Sequence, residues 1–269
     1  MKKIKIFSVI LLIISTAVFA GCNIYENIMT DHTAPDITGM EDIQISVEDP
    51  EDTLLQGMSA EDDRDGDVTD ALVVQDISEF DSEGNRTVQY AAVDNSGNVA
   101  YASRTMSYSD YTAPVFSLSA PLRFPMGAEF NICSGISASS TLDGDLTNNI
   151  KYTIDRTVSS AVTGTYQVEF RVMDSTGTTS YLATELEVYD PSEERVEVSL
   201  SSYLVYLHVG DRFNASSYYE GTDLDGDVEV DLNVDSNVDT SAAGTYYADY
   251  TVSTENGLSG TSRLVVVVS

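Results

Sequence analysis

The 269-residue sequence predicts an all-β fold: three tandem copies of one small β-sandwich behind an N-terminal signal helix. Three observations lead there. Residues 88–94 return as 168–174 and 248–254, so Tyr90 aligns with Phe170 and Tyr250 at a constant offset of 80 residues. An acidic triplet stands upstream of each copy, as Asp65-Gly66-Asp67, Asp143-Gly144-Asp145 and Asp225-Gly226-Asp227. The apolar residues alternate with period two. Tyr166, Val168, Phe170 and Val172 share one face while Gln167, Glu169, Arg171 and Met173 take the other, the pattern of strands with one buried face.

The chain starts with an address. Lys2, Lys3 and Lys5 precede an uncharged, mostly apolar run from Ile6 to Ala20. That run is shorter than the roughly 20 residues a spanning helix needs, which fits a cleaved signal. Val18-Phe19-Ala20-Gly21-Cys22 resembles the lipobox of bacterial lipoproteins, with Phe19 in place of the usual leucine, and implies lipidation of Cys22. Cleavage after Ala20 as an ordinary secretory signal is the alternative. The expected organisation is a lipoprotein signal peptide over 1–21, a tether over 22–32, and three repeats over 33–109, 110–189 and 190–269. Several acyl chains on Cys22 would hold the protein on a bacterial membrane, facing outward.

Within the repeats, Thr33-Ala34-Pro35 opens the first copy and Thr112-Ala113-Pro114 the second. Asp31 and Asp110 stand just before them, and Asp190-Pro191 takes that place in the third. Proline there suits the start of a strand, where no ladder bond is lost. Short β-rich runs follow, at 43–47, 150–154 and 204–209. The last two strands of each copy flank a turn: Asp94-Asn95-Ser96-Gly97-Asn98, Asp174-Ser175-Thr176-Gly177 or Glu255-Asn256-Gly257. This predicts a terminal β-hairpin in every copy, and about seven strands in some 80 residues predicts a sandwich. The short linkers predict a stiff string of modules.

These words together are similar to a known family. Thr-Ala-Pro, then Asp-Gly-Asp, then Gly164-Thr165-Tyr166-Gln167-Val168-Glu169-Phe170 and its echo Gly244-Thr245-Tyr246-Tyr247-Ala248-Asp249-Tyr250, then Asp-x-x-Gly resemble the bacterial immunoglobulin-like domain also found in some pesticidal crystal proteins. The resemblance spans nearly all of residues 33–269 and implies Ig-like sandwiches in an extracellular setting. It implies no single activity, because a fold hosts many functions. Tyr166 and Tyr246 read as tyrosine-corner residues, while Arg86 stands where the first copy would carry that tyrosine.

The recurrent chemistry is acidic. Asp63, Asp65 and Asp67 in the first copy and Asp223, Asp225 and Asp227 in the third offer clustered carboxylates, so Ca²⁺ is the candidate cofactor. A tight turn, with glycine at positive φ and aspartates bonding nearby amides, explains the same residues, and both readings stand at this point. Tyr218, Tyr219 and Tyr247 are the candidate binding tyrosines for a glycan or protein. Cys133, in the strand-like run Phe130-Asn131-Ile132-Cys133, reads as a packed thiol, because the chain's two histidines, His32 and His208, lie far from it in sequence.

Composition excludes other classes. Thirteen basic and 44 acidic side chains give a net charge of −31, a field that repels nucleic acid. Paired carboxylates in a repeated turn make no glycosidase cleft, and no metal-type histidine cluster, phosphate-binding glycine loop or Gly-x-Ser-x-Gly elbow occurs. The sequence therefore predicts a non-enzymatic, lipid-anchored surface protein for adhesion or for protein or glycan binding. The alternative is a structural spacer or envelope-complex subunit.

Overall fold

Alternation along the chain becomes, among the described residues, six β-sheets formed in chain order as three successive pairs. The computed structural model describes residues 12–22, 30–129, 131–154, 161–225 and 228–269. Residues 12–22 are helical, and no helix among the described residues is long and apolar enough to cross a membrane. The remainder is strand, turn and short 3-10 helix, a series of tandem Ig-like β-sandwiches.

The first pair shows the plan. Strands β1 (Asp36–Thr38), β3 (Ser59–Asp62) and β4 (Gly66–Asp67) form one sheet in the order β1-β3-β4. Strands β2 (Ile43–Ile45), β5 (Val73–Ile77), β6 (Arg86–Val93) and β7 (Val99–Tyr108) form the other, in the order β2-β7-β6-β5. The chain thus changes sheets between β1 and β2, and β2 runs parallel to β7. Gly39 makes that crossing possible. Its φ is +83°, and a Cβ there would overlap the Gly57 carbonyl.

The plan repeats. β8 (Val115–Leu118), β10 (Ile136–Ser140) and β11 (Gly144–Asp145) face β9 (Arg123–Pro125), β12 (Lys151–Ile154), β13 (Gly164–Met173) and β14 (Thr179–Tyr189). Then β15 (Val198–Leu200) and β17 (Tyr219–Thr222) face β16 (Leu204–Leu207), β18 (Val230–Ser236), β19 (Gly244–Thr254) and β20 (Ser259–Val268). β9 and β16 run parallel to the last strand of their sandwich, as β2 does. The terminal hairpins form as the turn signals predict, with β6–β7, β13–β14 and β19–β20 all antiparallel.

Inward-facing residues make three apolar cores, around Tyr90, Phe170 and Tyr250, which are fully buried. Each large side chain so placed is worth about 1.5–3 kcal/mol of transfer free energy. The tyrosine corners are present: the Tyr166 hydroxyl donates to the Val162 carbonyl at 3.3 Å and Tyr246 to the Ala242 carbonyl at 3.1 Å. Arg86 replaces that bond in the first sandwich by donating its Nε to the Ser78 carbonyl at 2.6 Å.

The chain divides into two compact units, Met1–Asp110 and Tyr111–Ser269. Within the second unit the string expectation fails, because two sandwiches pack flank to flank. Leu204 and Val265 join the core built around Phe170, with Tyr247 and Val267 against it. The Phe116 amide donates to the Tyr206 hydroxyl at 2.9 Å, and Arg123 donates to the Thr261 carbonyl at 2.6 Å. The cause lies in β20. Leu264, Val266 and Val268 fill the third core, and Val265 and Val267 between them serve its neighbour, so the strand is apolar on both faces.

Candidate functional site

Three loops of the first sandwich bring four aspartates to one corner. Asp31 lies in the leading segment before β1, Asp62 ends β3, Asp65 sits in the β3–β4 turn, and Asp94 starts the β6–β7 turn. One carboxylate oxygen from each lies within 4.8 Å of the others. Asp31, Asp62 and Asp94 are only 6%, 4% and 6% exposed.

Local hydrogen bonds aim these groups. Asp31 Oδ1 accepts the Thr33 amide at 2.9 Å. Asp62 Oδ1 accepts the amides of Arg64 and Asp65, both at 2.9 Å. Asp65 Oδ2 accepts the Asn95 amide at 2.9 Å and so ties the β3–β4 turn to the β6–β7 turn. Asp94 Oδ1 and Oδ2 accept the amide and side-chain nitrogen of Asn98, at 2.8 and 2.7 Å. Burial pushes the Asp94 carboxyl up, but the Asn98 side chain and the amides of Asn98, Ser96 and Gly97 outweigh it and hold it below its ordinary value. Asp31 Oδ2 and Asp62 Oδ2 are buried without a hydrogen-bond partner among the described residues. None of the ion pairs among the described residues involves any of the four. Two carboxylates about 5 Å apart repel by ~3 kcal/mol at an effective dielectric near 20, so the corner concentrates uncompensated charge.

This set differs from the acidic residues singled out by sequence. Asp65 belongs to both. Asp63 and Asp67 are exposed, and Asp67 accepts the Thr69 amide at 2.9 Å, at the start of a 3-10 turn. Hydrogen bonds from the Thr69 side chain and amide lower its pKa. In the third sandwich Asp223 accepts the Glu197 amide at 2.8 Å, Asp225 is exposed, and Asp227 lies outside the described residues. Asp67 thus bonds a nearby amide as a turn aspartate does, whereas Asp223 bonds an amide distant in sequence. Asp31, Asp62 and Asp94 are the ligand-type residues the triplet did not point to. The signal for Asp31 and Asp94 was recurrence, as Asp110 and Asp174, at positions distant in sequence, whereas the counterpart of Asp62 in the second sandwich is Ser140.

The tyrosines also fall differently. Tyr218 stacks on Phe213 at 5.7 Å, and Tyr218 and Tyr219 pack against the third core. Tyr247 lies between sandwiches, its hydroxyl donating to the Ala183 carbonyl at 3.3 Å and Arg263 over its ring at 4.7 Å. Part-buried in separate places, they form no common open face. Tyr101 and Tyr181, 69% and 58% exposed, are the most open tyrosines among the described residues and lie at matching places on β7 and β14. Cys133 is half-buried in a turn, not a strand, because Asn131 bonds its amide and starts a reversal; Phe130 lies outside the described residues. Burial raises the Cys133 thiol. Cys22 is exposed at the end of the helical residues.

A cleft of about 320 Å³ lies in the second unit, between two sandwiches, lined in part by Leu122, Arg123, Glu185, Asp249 and Arg263. Its charges are already paired: Arg123 with Glu187 and Glu197, Arg263 with Asp249 and Glu185.

Residues 202–268 match the family model described as a bacterial surface protein, Ig-like domain. The third sandwich is thus similar to the Ig-like domains of bacterial surface proteins. An uncharacterized 81.3 kDa protein of Acholeplasma phage L2 is 31% identical over 103 residues, which is 36% of this chain; the chain spans 14% of that protein's length. Among solved structures the chain is similar to a lipoprotein from Bacteroides thetaiotaomicron, at 12% identity, covering 56% of this chain and 98% of that one, with a TM-score of 0.25. It is also similar to Drosophila N-cadherin EC1-4, at 10% identity over 85% of this chain and 74% of that one, with a TM-score of 0.25.

Proposed function

We propose that this is a non-enzymatic bacterial surface protein, anchored by lipid at Cys22, whose Ig-like sandwiches over 33–109, 110–189 and 190–269 bind a surface protein or glycan. The observation that carries the reading is the surface Ig-like match over residues 202–268, set in a chain that repeats one sheet plan. The lipobox-like Ala20-Gly21-Cys22 supports the anchor. Tyr101 and Tyr181 are the contact residues this reading favours, since aromatic side chains left open on a sheet supply contact area at little entropic cost.

Metabolic labelling with a palmitate analogue tests the anchor: label on the wild type and none on Cys22→Ser supports it, and equal labelling overturns it. A glycan array and surface-protein capture test the binding role with residues 23–269. Capture reduced at least tenfold by Tyr101→Ala or Tyr181→Ala, with folding intact, supports it. Point variants serve better than deleting 190–269, which would strip Leu204 and Val265 from the neighbouring core. The spacer reading draws on the paired charges of the 320 Å³ cleft, and absence of any captured partner favours it.

A further inference from the structure

We propose that the first sandwich holds one divalent cation of the calcium class between Asp31, Asp62, Asp65 and Asp94. The second carboxylate oxygens carry the argument. Backbone amides occupy Oδ1 of Asp31 and Asp62, yet their Oδ2 atoms are buried with no donor among the described residues. A buried, partnerless carboxylate oxygen is costly, and here two of them join two further carboxylates in one corner. A cation held between the four side chains compensates that charge, while the amides bonded to Asp62 and Asp94 fix their carboxyl groups in the corner.

Donor type and span fit calcium. All four side chains offer hard oxygen, with no nitrogen or sulfur ligand among them. Calcium bonds of about 2.3–2.6 Å place opposite ligands about 5 Å apart, and the four oxygens lie within 4.8 Å of one another. Magnesium, with bonds of about 2.0–2.1 Å and a strong hold on its waters, suits such a carboxylate cage less well.

The second sandwich is an internal control. It keeps the turns but neutralises the chemistry. Ser140 takes the place of Asp62, accepting the amides of Leu142 and Asp143 at 3.0 and 3.1 Å through its hydroxyl. Asp143 still accepts the Ser175 amide at 2.8 Å, as Asp65 accepts Asn95. The Tyr111 hydroxyl sits on Asp174 Oδ2 at 2.7 Å. Asp110, the counterpart of Asp31, is bonded by Ser46 Oγ and the Val47 amide. In the third sandwich Thr222 and Thr254 stand in place of Asp62 and Asp94, so two of the four acids are lost. One ion per chain follows. Because Asp31 lies in the leading segment and the other three in two turns, the ion fastens that segment to the body of the sandwich.

Calorimetric titration of CaCl₂ into the chelator-stripped chain, residues 23–269, tests this alongside thermal unfolding. One calcium per chain is expected, with a rise in the first unit's unfolding temperature and a smaller effect from MgCl₂. Asp62→Ser, which installs the second sandwich's residue, and Asp94→Asn should each weaken calcium binding at least tenfold, while Asp143→Asn leaves the stoichiometry at one. Circular dichroism verifies the fold of each variant, and Asp31→Asn, outside the strands, replaces any that does not fold. No uptake at millimolar calcium, uptake unchanged in all folded variants of the four aspartates, or loss of the ion in Asp143→Asn would overturn the assignment.

Discussion

Tyr111 donates its hydroxyl to Asp174 Oδ2 at 2.7 Å, placing a neutral donor on a carboxylate that is itself buried. The other oxygen, Asp174 Oδ1, accepts the Thr176 hydroxyl at 2.6 Å and the amides of Thr176 and Thr178 at 2.9 and 3.1 Å. Every lone pair that matters is engaged by a fixed donor. The same turn in the first sandwich instead faces three other acids.

Replacing Tyr111 by phenylalanine should therefore destabilise the second unit. Asp174 Oδ2 would keep its burial and lose its donor, a cost of about 1–3 kcal/mol. Thermal unfolding of residues 23–269 should show the second unit's transition falling by several degrees, with the first unit's transition unmoved. Tyr111 should also ionise later than an ordinary tyrosine in an ultraviolet pH titration, because burial and the Asp174 charge together outweigh the hydroxyls of Thr176 and Thr178.

Arg104 should resist even conservative change. It is buried on β7, at the register position held by Thr184 and Leu264 in the later sandwiches. Its Nε donates to the Tyr90 hydroxyl at 2.9 Å, and its other nitrogens reach the carbonyls of Leu54 at 2.6 Å and Gln56 at 3.2 Å. The planar fork spans these acceptors at once, which a lysine ammonium on its flexible stem does not. Arg104→Lys is expected to cost about 1.5–3 kcal/mol, read as a lower denaturation midpoint of the first unit.

Arg123 is the side chain expected to couple the two sandwiches of the second unit. It meets Glu187 in its own sandwich and Glu197 and the Thr261 carbonyl in the next. Arg123→Ala removes charge-assisted bonds worth about 1.5–3 kcal/mol to the contact. Scanning calorimetry should then resolve the second unit's single transition into two, and a single sharp transition in the variant would show that the apolar contact suffices alone.

How much of this was legible in sequence follows from the range of the signals. Period-two alternation is local, and it located the hairpins and the inward residues Tyr166, Val168, Phe170 and Val172 correctly. The sheet change between β1 and β2 depends on Gly39 meeting Gly57, a contact no local pattern reports. The acidic corner was half visible. The triplet pointed to Asp65, but Asp31 and Asp94 arrive from loops that only the folded sandwich brings together. Two further signals stand in the sequence. Arg104 interrupts an alternation in which Ala102 and Met106 are apolar, and the unbroken run from Leu264 to Val268 marks a strand covered on both faces.

Tyr250 gives the pH dependence. Its ring is fully buried, and its hydroxyl donates to the Ala215 carbonyl at 2.5 Å. Burial, with a smaller contribution from Tyr218, pushes its pKa up to about 12. In the unfolded chain the value is near 10. Between those two values the unfolded state releases a proton that the folded state retains, so stability falls as pH rises. The advantage that the Tyr250 hydroxyl gives the wild type over Tyr250→Phe should be constant below about pH 10 and shrink between pH 10 and 12. Paired denaturant titrations at pH 8, 10, 11 and 12 measure it. A difference that stays constant across that range would show that the hydroxyl ionises as freely in the folded sandwich as in the open chain.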